Sequence, residues 1–222
     1  MSVCFNIDDN ISYIIWHRKL ELFSELITSE SVLIFQFLET LPNLQVLDIG
    51  SLQPAYLSQF ISSIRHTSLL ELVLDISFGH VEGLPTAGLV GLKKLSIKWH
   101  AHDDPKDPGS SLTHLYKLIQ PTLTTLVVLR ISDMRPTHYE HSGVFDLQLL
   151  KPAADTLRIF EYATQDTDES RLDTIPEILP HLTKLTTKWG KDFANHSILW
   201  KEKACIQFSI SHSNGTNEIF AA

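Results

Sequence analysis

Cysteine is almost absent. Only Cys4 and Cys205 occur in the 222 residues, at opposite ends of the chain. That spacing excludes a disulfide framework and any zinc-type cysteine cluster. Long apolar runs are missing too, since none approaches the roughly 18 residues from which a spanning helix is read. Asp8 and Asp9 precede the first apolar run, so no secretory leader is recognisable. The Asn-x-Ser/Thr triplets at Asn10, Asn195 and Asn214 are then chance matches. A reducing compartment, cytoplasmic or nuclear, is the expected setting. Basic residues are in deficit, 18 against 26 acidic, for a formal charge of −8. Such a balance speaks against bulk binding to nucleic acid or an anionic membrane, while leaving room for a local basic patch. Signatures of chemistry are lacking as well: no Gly-x-Ser-x-Gly elbow, phosphate loop or dinucleotide fingerprint occurs. Serine, histidine and aspartate are plentiful, but no arrangement of them places a catalytic triad. The expectation is a monomer that carries no cofactor and no resident metal.

What the chain does have is a repeat. With 43% hydrophobic residues it can bury one substantial core, and the apolar residues recur in a fixed grammar, Leu-x-x-Leu-x-Ile or a near variant. The segments are LQVLDI from Leu44, LLELVL from Leu69, LKKLSI from Leu92, LVVLRI from Leu126, ADTLRI from Ala154 and LTKLTT from Leu182. Successive starts differ by 25, 23, 34, 28 and 28 residues, and all but the third interval fall within the roughly 20–29 residues of a leucine-rich repeat. Alternation inside each segment predicts a short strand. The intervals predict helices: residues 54–66, with Leu57, Phe60, Ile61 and Ile64 on one face behind Pro54, and residues 110–121, with Leu112, Leu115 and Leu118. Residues 144–154 and, more loosely, 170–182 read the same way. No single unit could bury its apolar face alone, so stacking must supply the core.

The expected fold class is therefore α/β, a solenoid of about six irregular strand–turn–helix repeats with a parallel sheet on its concave face. Residues 1–40 are expected as a helical N-terminal cap or a preceding degenerate repeat, with helix over 11–38. Residues 41–190 form the solenoid, and 191–222 a C-terminal cap. Asn214-Gly215, between CIQFSIS and TNEIF, is a strong hairpin signal.

Laid out in this way, LPNLQVLDIG, LLELVLDIS, GLKKLSIKW and ILPHLTKLTTKW resemble the irregular leucine-rich repeat regions of fungal F-box proteins, over roughly residues 35–190. Leu-Pro-(Asn/His)-Leu-x-x-Leu occurs twice, at 41–47 and 179–185. The resemblance implies a substrate receptor of a cullin–RING ubiquitin ligase, whose F-box binds a Skp-type adaptor while the repeats hold the substrate. Residues 1–40 contain no Leu-Pro-x-Glu-(Ile/Leu)-like F-box opening, and LETLP at 38–42 has the wrong order. Adaptor binding is therefore expected only if an F-box lies upstream.

The repeat register predicts which residues face outward. They are Val46 and Asp48; Glu71, Val73 and Asp75; Lys94, Ser96 and Lys98; Val128 and Arg130; Thr156, Arg158 and Phe160; Lys184, Thr186 and Lys188. On this reading the concave face is acidic in its first two repeats, through Asp48, Glu71 and Asp75. It is basic in the last four, through Lys94, Lys98, Arg130, Arg158, Lys184 and Lys188. The implied partner is a protein with an acidic or phosphorylated segment.

A competing reading comes from KWHAHDDPKDPGS, Lys98 to Ser110. Its His100, His102, Asp103 and Asp104 resemble the His-x-His-x-Asp-His motif of metallo-β-lactamase-fold hydrolases, whose zinc ions activate water. Pro105 stands where the last histidine belongs, and six repeats leave no room for that fold. A metal-dependent hydrolase built on His100, His102 and Asp104 is the alternative, beside a purely structural scaffold. The repeat register instead makes Lys98 outward and Trp99 inward. It makes His100 an inward side chain bonding the turn that leaves the strand, and residues 102–110 an insertion with turn chemistry in Pro105, Pro108 and Gly109. HYEH, His138 to His141, reads as a solvated loop between turns.

Overall fold

A computed structural model describes residues 3–8, 11–16, 19–24, 32–77, 79, 81, 89–101, 110–133, 145–164, 174–188, 207–212 and 215–219. The fold is α/β. Among the described residues eleven strands form one sheet in strictly sequential order: β1 (Val3–Asp8), β2 (Ile11–Trp16), β3 (Lys19–Ser24), β4 (Val46–Leu52), β5 (Glu71–Ile76), β6 (Lys94–Trp99), β7 (Val128–Asp133), β8 (Ile159–Thr164), β9 (Lys184–Lys188), β10 (Gln207–His212) and β11 (Gly215–Ile219). Seven successive pairings from β3 to β10 are parallel. Antiparallel pairings close both ends: β1 with β2 and β2 with β3, then β10 with β11, where His212 faces Gly215. The sheet crosses both boundaries expected from the sequence, since β3 pairs with β4 and β9 with β10.

The helices are α1 (Val32–Glu39), α2 (Leu57–Ile64), α3 (Ser110–Ile119) and α4 (Ile175–Ile178). Proline explains where they shorten. The span 144–154 forms a 3-10 helix, Leu147–Ala153, with Pro152 inside it; proline lacks the N–H and its ring clashes with the α-helical carbonyl four residues back. Among the described residues of 170–182 one α-turn forms, begun with Pro176 in its first turn, where proline is tolerated, and stopped before Pro180.

Alternation fixes which face of the sheet the helices cover. Leu47 and Ile49, Leu72, Leu74 and Ile76, Leu95, Ile97 and Trp99, Leu129 and Ile131, and Leu185 are all buried. Leu57, Phe60, Ile61 and Ile64 of α2 and Leu112, Leu115, Leu118 and Ile119 of α3 join them in one cluster. Each such side chain contributes about 1.5–3 kcal/mol relative to exposure. Register is pinned at the strand entries by one recurring contact. The carbonyls of Gln45, Leu70, Lys93, Val127 and Arg158 each accept two successive backbone N–H groups from the next unit, at 2.8–3.1 Å.

That contact corrects the fifth repeat. Ile159 pairs with Val128 and with Lys184, so Leu157 stands level with Leu92, Leu126 and Leu182. The unit is Leu157-x-x-Phe160-x-Tyr162, three residues later than Ala154-x-x-Leu157-x-Ile159. Both frames satisfy the pattern, and the true one places two aromatics where aliphatics were expected. Phe160 is consequently fully buried, and Glu161 takes the outward place.

The N-terminus needs a second correction. Within the span expected as helix, residues 11–16 and 19–24 are strands, and among the described residues only α1 is helical. Ile11, Tyr13, Ile14, Ile15 and Trp16 are β-branched or aromatic, types that lose side-chain freedom in a helix and suit an extended backbone.

Candidate partner-binding face

Opposite the helices lies the outward face of the sheet, and pairing stacks its residues into rows. One row runs Val46, Glu71, Lys94, Val128, Ile159, Lys184. A second runs Asp48, Val73, Ser96, Arg130, Glu161, Thr186, and a third Asp75, Lys98, Ser132, Ala163, Lys188. Of the expected site residues, Asp48, Glu71, Asp75, Lys94, Lys98, Arg130 and Lys184 are half-buried or exposed in these rows. Lys188 holds its register position in β9. Val128 keeps outward parity but is buried, a short side chain between Lys94 and Ile159.

Two expected members are not on the face. Phe160 is in the core. Arg158 precedes β8, and its guanidinium donates to the carbonyls of Asp155 at 2.9 Å and Leu157 at 3.2 Å. Thr156 is likewise a turn residue, its hydroxyl donating to the carbonyls of Leu123 and Ala153.

The division into an acidic end and a basic end is corrected at one strand, β8, where Glu161 stands between Arg130 of β7 and Lys184 of β9. Neighbouring strands lie roughly 4.8 Å apart, so residues in one row meet, and the acidic β5 touches the basic β6. Lys94 Nζ sits 3.1 Å from Glu71, and Lys98 Nζ 3.4 Å from Asp75. Glu161, which the shifted frame concealed, accepts from Arg130 Nε at 2.9 Å and lies 3.4 Å from Lys184 Nζ. Glu161 thus stands among the cations, while Asp48, Glu71 and Asp75 keep the first two strands of the face. Such partly exposed pairs contribute little each. Asp75→Asn, which removes the partner of Lys98, is expected to change unfolding free energy by about 1 kcal/mol or less, read from urea denaturation.

His100 departs from expectation in part. Its Nε2 lies 3.7 Å from Asp75 Oδ1 at the rim of the outward face, while its Nδ1 is buried. His102, Asp103, Asp104 and the His138–His141 segment lie outside the described residues. Among the described residues no cluster of three or more His, Cys, Asp or Glu side chains is placed to hold a metal ion. Trp99 is inward and fully buried, its indole N–H donating to Ser111 Oγ at 2.8 Å. Among the described residues no helix is long and apolar enough to cross a membrane. No protein-family model matches the sequence, and no curated protein and no solved structure matches it.

Proposed function

We propose that the chain is a leucine-rich-repeat-type solenoid that acts without catalysis as a protein-recognition module, holding its partner on the outward, concave face of the sheet. The observation that carries this reading is the asymmetry of the sheet. Among the described residues of β4 to β9 the inward side chains are buried beneath the helices, whereas the outward rows carry half-buried to exposed charged and polar residues interspersed with valine, isoleucine and alanine. Mixed charges in fixed rows give a partner orientation and register more than bulk affinity. The likeness to F-box repeat regions supports the substrate-holding role. Recruitment of a Skp-type adaptor would need an F-box module in addition, because residues 3–8, 11–16 and 19–24 lie in strands. The scarcity of cysteine supports a cytoplasmic or nuclear site of action.

Site-specific photo-cross-linking tests the proposal. A benzophenone amino acid at Ser96, in the middle of the outward face, is expected to give a discrete protein adduct in cells. The same group at Ser62, exposed on α2, is expected to give none. An adduct pattern shared by both positions, or none from Ser96, would leave only a structural scaffold.

A further inference from the structure

The outward face is unevenly filled. Over β5 and β6 the long side chains of Glu71, Asp75, Lys94 and Lys98 pair with one another across the strands. Over β7 and β8 the last outward positions hold Ser132 and Ala163, which are register partners. Their short side chains leave a depression of about 260 Å³, walled by Arg130, Glu161 and Thr186. That volume lies below the roughly 300–1,000 Å³ of pockets that enclose small-molecule ligands, and it suits one inserted side chain.

Charge decides which side chain. Arg130 and Lys184 share the single carboxylate of Glu161, so the three together carry a net charge of +1. Glu161 engages only the Nε edge of the guanidinium, and Arg130 remains 44% exposed. Among the described residues nothing else bonds that guanidinium, so its two terminal amino groups are open. An end-on pair of N–H donors matches the two oxygens of a carboxylate. A monoanion neutralises the group. A phosphoryl group, at about −1.5 to −2 charge, exceeds the charge of these three and faces the Glu161 carboxylate across the same guanidinium.

We infer that this depression seats one carboxylate side chain, aspartate or glutamate, of the bound partner, gripped end-on by Arg130 with Lys184 beside it. The inference rests on the outward face being the binding surface proposed above.

Fluorescence anisotropy with labelled peptides, in which serine alternates with glutamate, glutamine or phosphoserine, tests it on the full chain. Ionic strength near 0.1 M gives a Debye length of about 10 Å, which hides distant acidic residues but not a contact pair. The wild type is expected to bind the glutamate peptide about tenfold more tightly than the glutamine peptide, and no less tightly than the phosphoserine peptide. Arg130→Gln is expected to remove that advantage, Arg130→Lys to keep only part of it, and Arg158→Gln to leave it intact. Glu161→Gln raises the group to +2 and is expected to move the preference to phosphoserine. Unchanged thermal unfolding by circular dichroism verifies the fold of each variant. Equal binding of glutamate and glutamine peptides, indifference to Arg130→Gln and Arg130→Lys, or a wild-type preference for phosphoserine would each overturn the inference. If that happens while the Ser96 cross-link persists, protein recognition stands and only the carboxylate seat falls. Loss of the cross-link removes both.

Discussion

Phe160→Ala is expected to destabilise the protein by about 3–5 kcal/mol, while Glu161→Ala, one residue along, changes stability by about 1 kcal/mol or less. Urea denaturation reads both. The contrast follows from register. Phe160 is fully buried between Leu129 and Leu185 in the inward row, and its ring lies 6.1 Å from that of Tyr162. Tyr162 in turn meets Phe145 at 5.5 Å, and Phe145 meets Tyr116 of α3 at 5.0 Å. Removing the Phe160 ring leaves a cavity beneath a chain of aromatics that joins β8 to α3. Had Ala154-x-x-Leu157-x-Ile159 been the strand frame, Phe160 would face outward and its truncation would be nearly neutral. Equal small effects at both positions would therefore restore that frame. In a stacked array each unit touches only its neighbours, so Phe160→Ala is also expected to loosen β9 before β4, visible as a shallower unfolding slope.

The same position shows how far sequence alone reaches. Five of the six strands were legible in their true frame, because Leu-x-x-Leu-x-Ile puts aliphatics inward at every second residue. In the fifth, Leu157 can serve as the first or the second leucine, and only pairing to β7 and β9 chooses. Aromatic residues in the inward row weakened the correct choice. At the N-terminus the apolar residues of 11–24 fit a helical face by count, and their β-branched character was the signal to weigh instead.

The charge pattern was half legible for a related reason. Glu71 and Lys94, or Asp75 and Lys98, occupy matching positions in consecutive repeats, and stacking the repeats makes them cross-strand neighbours. Reading charge repeat by repeat placed the acidic and basic strands but not the contacts between them at β5 and β6. Glu161 was invisible until the frame was corrected, and with it went the group formed by Arg130 and Lys184. Arg158 looked like part of the basic surface for the same cause, although its guanidinium is bonded to turn carbonyls.

Trp99 and Ser111 are expected to act as one unit. The indole N–H donates to Ser111 Oγ at 2.8 Å, and that hydroxyl donates to the Ala101 carbonyl at 2.7 Å. Ser111 is therefore acceptor and donor at once, and both it and Trp99 are buried. Ser111→Ala leaves a buried N–H and a buried carbonyl without this partner, and is expected to destabilise by about 1–3 kcal/mol. Trp99→Ala adds a cavity at the last inward position of β6 and is expected to cost about 3–5 kcal/mol. Trp99→Phe keeps most of the volume while removing the donor, so the double variant Trp99→Phe/Ser111→Ala should fall short of the summed single effects, with a coupling of about 0.5–3 kcal/mol. Strict additivity in urea denaturation would reject the relay. Its position matters for the face. Ala101 and Ser110 flank residues 102–109, in the longest interval between repeats, 34 residues from Leu92 to Leu126. A hydroxyl that bonds both the last inward side chain of β6 and the carbonyl of Ala101 ties the two together. Ala101 is thereby anchored next to His100, which reaches Asp75 at the rim of the outward face.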